Sequence, residues 1–144
     1  MMSAAPQGRE KDIGWLLRTL IERVPHTRSA VLLSSDGLTT AAQGLDHDSA
    51  DRLAAIASGL FSIARSAGAQ FGQSGGVRQV VAELDDTLLF VASAGFGSVL
   101  TVLAGREADA GVLGYEMSQF VKSVRPFLAT PARHAVTSNG DRSG

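Results

Sequence analysis

The chain has 144 residues, with 13 Lys and Arg against 14 Asp and Glu, and it contains no cysteine. The balanced charge argues against a cationic surface for nucleic acid or anionic lipid, and the lack of cysteine excludes disulfides, thiolate nucleophiles and cysteine-ligated zinc. The length fits one domain, and a hydrophobic fraction of 44% is enough for a packed core.

The N-terminal segment MMSAAPQGREKD has no apolar stretch of the kind found in secretion signals. The longest apolar runs of the chain are far shorter than the ~20 residues that cross a bilayer. We therefore expect a cytoplasmic protein without direct membrane insertion. Residues 1–11 are small, polar or charged, and we predict a disordered N-terminal tail there.

Helical spacing of apolar residues begins after this tail. The residues that recur at three- and four-residue intervals are Ile13, Leu16, Leu17, Leu20, Ile21 and Val24. Asp12 is placed to cap this predicted helix, and Pro25 is placed to stop it. Trp15 lies towards the flank of the apolar stripe, and we favour packing over ligand stacking for its side chain.

The next stretch, AVLLSSDGLTTAA, predicts a β-hairpin. Residues 30–34 form an apolar run, as expected of a strand that is covered on both faces. Ser35-Asp36-Gly37 supplies the turn, because Gly37 can adopt a positive φ. Residues 38–42 then return as an antiparallel strand.

A longer helix follows, with Asp48 or Ser49 as its predicted cap, and it carries two adjacent arcs of small or apolar residues. The arc assigned to the core contains Leu53, Ile56, Ala57, Leu60, Ile63, Ala64 and Ala67. The second arc contains Ala54, Ser58, Phe61 and Arg65, at positions where a surface helix would usually be charged. We favour a second packed surface for this arc, the alternative being a core arc that is merely wide. Arg65 is either a donor to a partner or a solvated side chain.

Three predicted strands follow a flexible loop that is rich in Gly, Ser and Gln. Residues 77–84 alternate apolar with polar side chains, which is typical of a partly exposed or edge strand. Residues 87–94 and 98–104 are mainly apolar, so we expect them at the centre of the sheet. Gly95-Phe96-Gly97 joins these two strands.

A last helix shows clear helical spacing from Val112 onward, and Pro126 ends or kinks it. We predict a disordered C-terminal tail over residues 129–144 and a single domain over residues 12–128. The element order is α-β-β-α-β-β-β-α. It predicts an α+β fold with a five-stranded, mostly antiparallel sheet that helices cover on both faces.

No catalytic set is visible in the sequence. The Gly-rich segments AGFGSVL and GQSGG do not join a strand to a helix and lack the Lys-Ser/Thr pair of a phosphate-binding loop. The histidines are far apart, and His47 with its neighbours Asp46 and Asp48 cannot easily enclose an ion. Asp85-Asp86 is expected to be a solvated turn, and no Gly-x-Ser-x-Gly elbow is present. We therefore predict a binding protein rather than an enzyme, with no cofactor and no metal.

Four stretches together resemble the roadblock/dynein light chain family, especially its short actinobacterial members. They are DIGWLLRTLIERVP, AVLLSSDGLTTAA, DSADRLAAIASGLFSIARSAG and LLFVASAGFGSVLTVLA. The resemblance covers roughly residues 11–128 and consists of element order and local phrases rather than a catalytic signature. Its most specific part is the Ser-Asp-Gly-Leu turn followed by the Asp-Arg-Leu-Ala-Ala helix.

The resemblance implies a dimer in which the middle helices of two subunits pack side by side and the third strands pair into one continuous sheet. The implied helix seam consists of Ala54, Ser58, Phe61 and Arg65. The implied pairing strand carries Val77, Gln79 and Val81. The edge character of residues 77–84 agrees with this assignment.

The resemblance also implies a function. Family members commonly serve small Ras-like GTPases as scaffolds, effectors or activating partners, and actinobacterial relatives resemble one component of modules that also contain a sensor-kinase-like membrane protein. We therefore expect a non-catalytic homodimeric adaptor or regulator of a small Ras-like GTPase in a bacterial signalling module. Two alternatives stay open: a dimeric scaffold for the kinase-like partner without GTPase contact, and a PAS- or GAF-like sensor, which needs a cavity with convergent polar groups.

Overall fold

The computed structural model describes residues 4–129, so the predictions for residues 1–3 and 130–144 lie outside the described part of the chain. Its helices and strands, in chain order, are α1 (Ala4–Arg23), β1 (Thr27–Ser34), β2 (Thr39–Gln43), α2 (His47–Phe71), β3 (Gln79–Glu83), β4 (Thr87–Gly95), β5 (Ser98–Gly105) and α3 (Ala110–Ala129). This is the predicted order.

The strands form one five-stranded sheet in the order β2-β1-β5-β4-β3, and every neighbouring pair is antiparallel. The mainly apolar strands β4 and β5 are interior, as predicted, because both of their faces are buried. β3 lies at one edge of the sheet, as its alternating sequence predicted, and β2 lies at the other.

Helices cover both faces of the sheet, which confirms the predicted layering. Ile13 of α1 and Met117 of α3 share one buried cluster with Phe90 of β4. Phe61 of α2 belongs to a second cluster, on the opposite face, with Val91 of β4. Phe90 and Val91 point to opposite faces because side chains alternate along a strand. One strand therefore supplies both halves of the core.

The first helix is longer than its apolar pattern predicts. α1 begins at Ala4, so Asp12 lies inside the helix and is not its N-cap, and the predicted tail is corrected to helix over residues 4–11. This segment contains good helix formers. Pro6 is tolerated because it lies in the first turn, where a backbone N–H would have no partner within the helix.

The N-cap of α2 is Asp46, and not Asp48 or Ser49 as predicted. The backbone of Asp46 is extended, and its Oδ1 accepts a hydrogen bond of 2.8 Å from the backbone N–H of Ser49. This bond satisfies one of the free amides in the first turn of the helix. Hydrogen bonds from the backbone and side chain of Ser49 lower the pKa of Asp46 below its ordinary value of 3.8.

Replacing Asp46 with Ala is expected to lower the melting temperature at neutral pH. Because the folded-state pKa of Asp46 is lowered, the stabilisation by its carboxylate is present above the unfolded-state pKa and is lost as the pH falls through the folded-state pKa. The melting temperatures of the wild type and Asp46→Ala should therefore converge below pH ~4, as measured by circular dichroism. Asp46→Asn is the control, since it keeps an uncharged acceptor. A gap that stays constant down to pH ~2 would contradict the assignment.

Two local features near the ends of elements also bear on the predictions. Gly37 has a φ of 92° in the β1–β2 turn, in the positive region predicted for it. α3 continues past Pro126 to Ala129, so Pro126 does not end the helix.

Candidate interaction surfaces

α2 packs on the sheet through parts of both predicted arcs. Leu53 and Ala57, which the sequence assigned to the core, are buried as predicted. Ala54 is fully buried and Phe61 is only 8% exposed, and both belong to the cluster between α2 and the strands. The small side chains of Ala54 and Ala57 let the helix approach the sheet closely, while Phe61 fills the space near its C-terminal half. The placement of Ala54 and Phe61 at an intersubunit seam is therefore corrected, because their own chain covers them.

The other two predicted seam residues also make contacts within the chain. The Ser58 hydroxyl donates a hydrogen bond of 2.8 Å to the backbone oxygen of Ser35, which ties α2 to the β1–β2 turn. Arg65 is exposed, and its guanidinium carbon lies 6.0 Å from the centre of the Phe61 ring. This distance is within the range of a cation–π contact.

An exposed apolar stripe runs along another side of α2. Ile56 is 55% exposed and Ile63 is 69% exposed, although the sequence assigned both to the core. We call the following residues the α2 stripe: Ile56, Leu60, Ile63, Ala67 and Phe71. Leu60 is half-buried within it, and Phe71 is 86% exposed. α2 thus carries more apolar surface than its own sheet covers.

Contacts on the opposite flank of α2 show which way the α2 stripe faces. Asp51 accepts a hydrogen bond of 2.8 Å from the hydroxyl of Thr39 in β2, and Ser58 contacts the β1–β2 turn. At 3.6 residues per turn, the α2 stripe lies across the helix from these two residues. It therefore faces away from β2, towards the β3 edge of the sheet.

β3 supplies an open strand edge on that same side. One side of β3 pairs with β4, and no other strand of residues 4–129 pairs with its second side. Gln79 and Val81 lie in this strand and are exposed, whereas Val80 packs against the cluster beneath α2. Val77 precedes the strand and packs against that cluster too, and its part in strand pairing stays a prediction.

Trp15 is not packed in the core, contrary to the prediction. It is 61% exposed and borders an open groove of about 1030 Å³ between α1 and β2. Lys11 and Arg18 line the same groove from α1, and His47 lines it from the start of α2. Helical spacing itself accounts for this exposure. At about 100° per residue, Trp15 lies nearly opposite the buried Ile13 and Leu17, so its placement on the flank of the apolar stripe is corrected.

His47 and Asp86, which were considered as metal-binding or catalytic candidates, make ordinary structural contacts. His47 Nε2 lies 3.5 Å from Asp51 Oδ2 across one helical turn. Asp86 accepts hydrogen bonds from Arg28 and Thr87 at the β3–β4 turn. Among residues 4–129, no group of three or more His, Cys, Asp or Glu side chains is arranged to hold a metal ion. No helix of this part of the chain is both long and apolar enough to span a bilayer.

Comparison with known proteins gives both a family and close structural relatives. The profile of the Roadblock/LC7 domain matches residues 13–104. A crystal structure of a Roadblock/LC7 domain from Streptomyces avermitilis is 67% identical, and the match covers 81% of this chain and 98% of that chain with a TM-score of 0.79. A second such domain from this organism is 37% identical, with 77% and 96% covered and a TM-score of 0.63.

A more distant structure, MglB with a tetrameric arrangement, is 14% identical and has a TM-score of 0.75. That match covers 83% of this chain and 90% of MglB, and at this identity it shows likeness of fold alone. No curated protein gave a significant match.

Proposed function

Because the chain belongs to the Roadblock/LC7 family, we propose that it is a non-catalytic homodimeric adaptor or regulator of a small Ras-like GTPase in a bacterial signalling module. The observation that carries this proposal is the exposed α2 stripe beside the open edge of β3. Exposed apolar side chains and free backbone groups at a strand edge suit binding to another protein chain. The Ras-like GTPase is the partner that the family resemblance implies.

A second copy of the chain suits this surface because the helix and the strand face the same way. In a two-fold dimer, the α2 stripe of one copy meets the same stripe of the other, and β3 pairs with β3. Strand pairing satisfies the backbone donors and acceptors that an edge leaves open. The two five-stranded sheets then become continuous, and helix packing buries Ile56 and Ile63. The tetrameric arrangement reported for MglB adds support for self-association on this fold.

The proposed seam uses other residues of α2 than the sequence indicated. Ile56 and Ile63 take the places that were assigned to Ala54 and Phe61, since the latter pair is buried within one chain. Gln79 and Val81 keep their place on the pairing strand, where their exposure leaves them accessible to a partner. Large apolar side chains at such an interface each contribute about 1.5–3 kcal/mol when fully buried.

The test of the function is a calorimetric titration against the small GTPase encoded near this chain, loaded first with GDP and then with a GTP analogue. We expect binding in at least one nucleotide state, with a dissociation constant on the order of 1 μM, or about −8 kcal/mol. Hydrolysis rates measured with and without the chain then give the direction of regulation. The same titration with Ile63→Asp tests whether binding needs the dimer.

Failure to bind in both nucleotide states would contradict the GTPase role. In that case, a dimer that binds the cytoplasmic part of the sensor-kinase-like protein would favour the scaffold alternative. Light scattering on the free chain separates these results from the dimer proposal, because a dimer can form whether or not either partner binds.

A further inference from the structure

A trough lined by three arginines lies at the end of the sheet where the β4–β5 hairpin turns and β3 begins. It consists of two adjoining hollows of about 420 and 450 Å³. Arg65 and Phe96 line the first hollow, while Arg78 and Arg125 line the second. Both hollows share Gly76, Val77, Ser93 and Gly95. We call the four residues Arg65, Arg78, Arg125 and Phe96 the arginine trough.

The three guanidinium groups of the trough have no acidic partner within residues 4–129. The ion pairs of this part of the chain involve Arg23, His47 and Arg106, and no Asp or Glu lines either hollow. The guanidinium of Arg65 lies over the Phe61 ring. Arg28 and Arg106, in contrast, donate to oxygens of the β3–β4 turn region. Three neighbouring cations on a chain of net charge −1 therefore form a local excess of positive charge.

Glycine residues of the surrounding loops shape the walls of the trough. A Cβ added at Gly95 would lie 3.7 Å from Nε of Arg125, so this guanidinium rests against the end of β4. Gly75 on one side of the trough, and Gly95 and Gly97 on the other, have positive φ values, which a glycine adopts without strain. Hydroxyl groups of Ser74 and Ser93 add hydrogen-bonding capacity along the wall.

The backbone conformation at Phe96 is one that favours other residue types. Phe96 is the first residue of the two-residue β4–β5 loop and has a φ of 55°, where Asn, Asp or Gly is favoured. Its ring is 64% exposed, so it adds little to the core. Strained backbone at an exposed bulky side chain is a feature of binding sites. The ring lies beside the cationic wall of the trough.

We propose that the arginine trough docks an acidic segment of a protein partner, whose carboxylates pair with Arg65, Arg78 and Arg125 while an apolar side chain of the segment packs on Phe96. Guanidinium groups bind carboxylates through paired, charge-assisted hydrogen bonds. A peptide suits the site better than a small anion, because the arginines are spread over two hollows, the first of which also carries the ring of Phe96. No residue of the trough belongs to the α2 stripe, so this inference does not depend on the GTPase role. Arg78 directly precedes β3, the strand that the proposed dimer pairs.

The test uses two fluorescein-labelled peptides, GEELEEG and its uncharged counterpart GQQLQQG, in anisotropy titrations. We expect the Glu peptide alone to bind, and its affinity to fall when salt is raised, since exposed ion pairs are screened. The triple variant R65Q/R78Q/R125Q should lose at least about tenfold in affinity. The control R18Q/R52Q/K122Q removes the same charge elsewhere and should stay within about twofold.

The proposal is overturned if the Glu peptide does not bind at millimolar concentration, if the Gln peptide binds equally, or if the control variant loses as much affinity. Displacement of the peptide by equimolar inorganic phosphate would show a small-anion site instead.

The Phe96→Asn variant tests the contribution of the aromatic ring separately from that of the arginines. We expect it to keep or raise the melting temperature, because Asn suits the turn, and to weaken peptide binding about fivefold. Unchanged binding would exclude a role for Phe96.

Discussion

Replacing Ile63 with Asp is expected to convert the proposed homodimer into a monomer that keeps its fold. Ile63 is 69% exposed in the single chain, so the substitution changes the stability of one subunit by no more than about 0.5 kcal/mol. A two-fold dimer loses two buried Ile63 side chains, or about 3–6 kcal/mol in total. The dissociation constant of the dimer should therefore rise by a factor of about 10² to 10⁴.

Light scattering coupled to size exclusion measures this change, with circular dichroism as the check on folding. Ser62→Asp is the matched control, because Ser62 is an exposed neighbour on α2 outside the α2 stripe. We expect the control to elute as the wild type does. A normal dimer for Ile63→Asp over a dilution series would show that the α2 stripe is not the intersubunit surface.

Replacing Phe61 with Ala is expected to lower the free energy of unfolding by about 3–5 kcal/mol, because it removes a large side chain from between α2 and the sheet. A domain of ordinary stability unfolds with about 5–15 kcal/mol, so this loss is a large part of the total. Phe61 is only one helical turn or less from the α2 stripe, yet it is 8% exposed. The two substitutions thus separate folding from association on one helix.

Urea unfolding measures the second prediction. Both Phe61→Ala and its control, Phe71→Ala, are made in the Ile63→Asp background, so that dimer dissociation does not contribute to the measured free energy. Phe71 is 86% exposed, and its replacement should cost no more than about 0.5 kcal/mol. Equal effects of the two substitutions would place Phe61 outside the core.

Most of the architecture could be predicted because it depends on local patterns. The buried run at residues 30–33, the turn at Gly37 and the apolar residues of β4 and β5 each depend on residues close by in the sequence. Edge character was equally visible, since alternating polar side chains mark β3 as covered on one face. The resemblance to the Roadblock/LC7 family rested on these same stretches, and the match over residues 13–104 confirms it.

The surface of α2 could not be predicted correctly in the same way. Its apolar residues extend over more than half of the helix circumference, and helical spacing does not say which part meets a sheet. Burial decides the matter: Ala54 and Phe61 face the strands, whereas Ile56 and Ile63 face outward. The expected excess of apolar surface exists on α2, but it lies on part of the arc that was assigned to the core, whose Leu53 and Ala57 are buried as predicted.

The sequence by itself determined the order of the elements, the hairpin turn and the position of β3 at an edge, because each depends on residues close together in the chain. Only the tertiary structure decided which face of α2 is covered. It also brought Arg65, Arg78 and Arg125 from three separate segments to one end of the sheet. The periodicity of apolar residues shows which side chains share one face of a helix or strand. Whether that face is buried, and which charges gather beside it, depends on the other segments of the chain that pack against it.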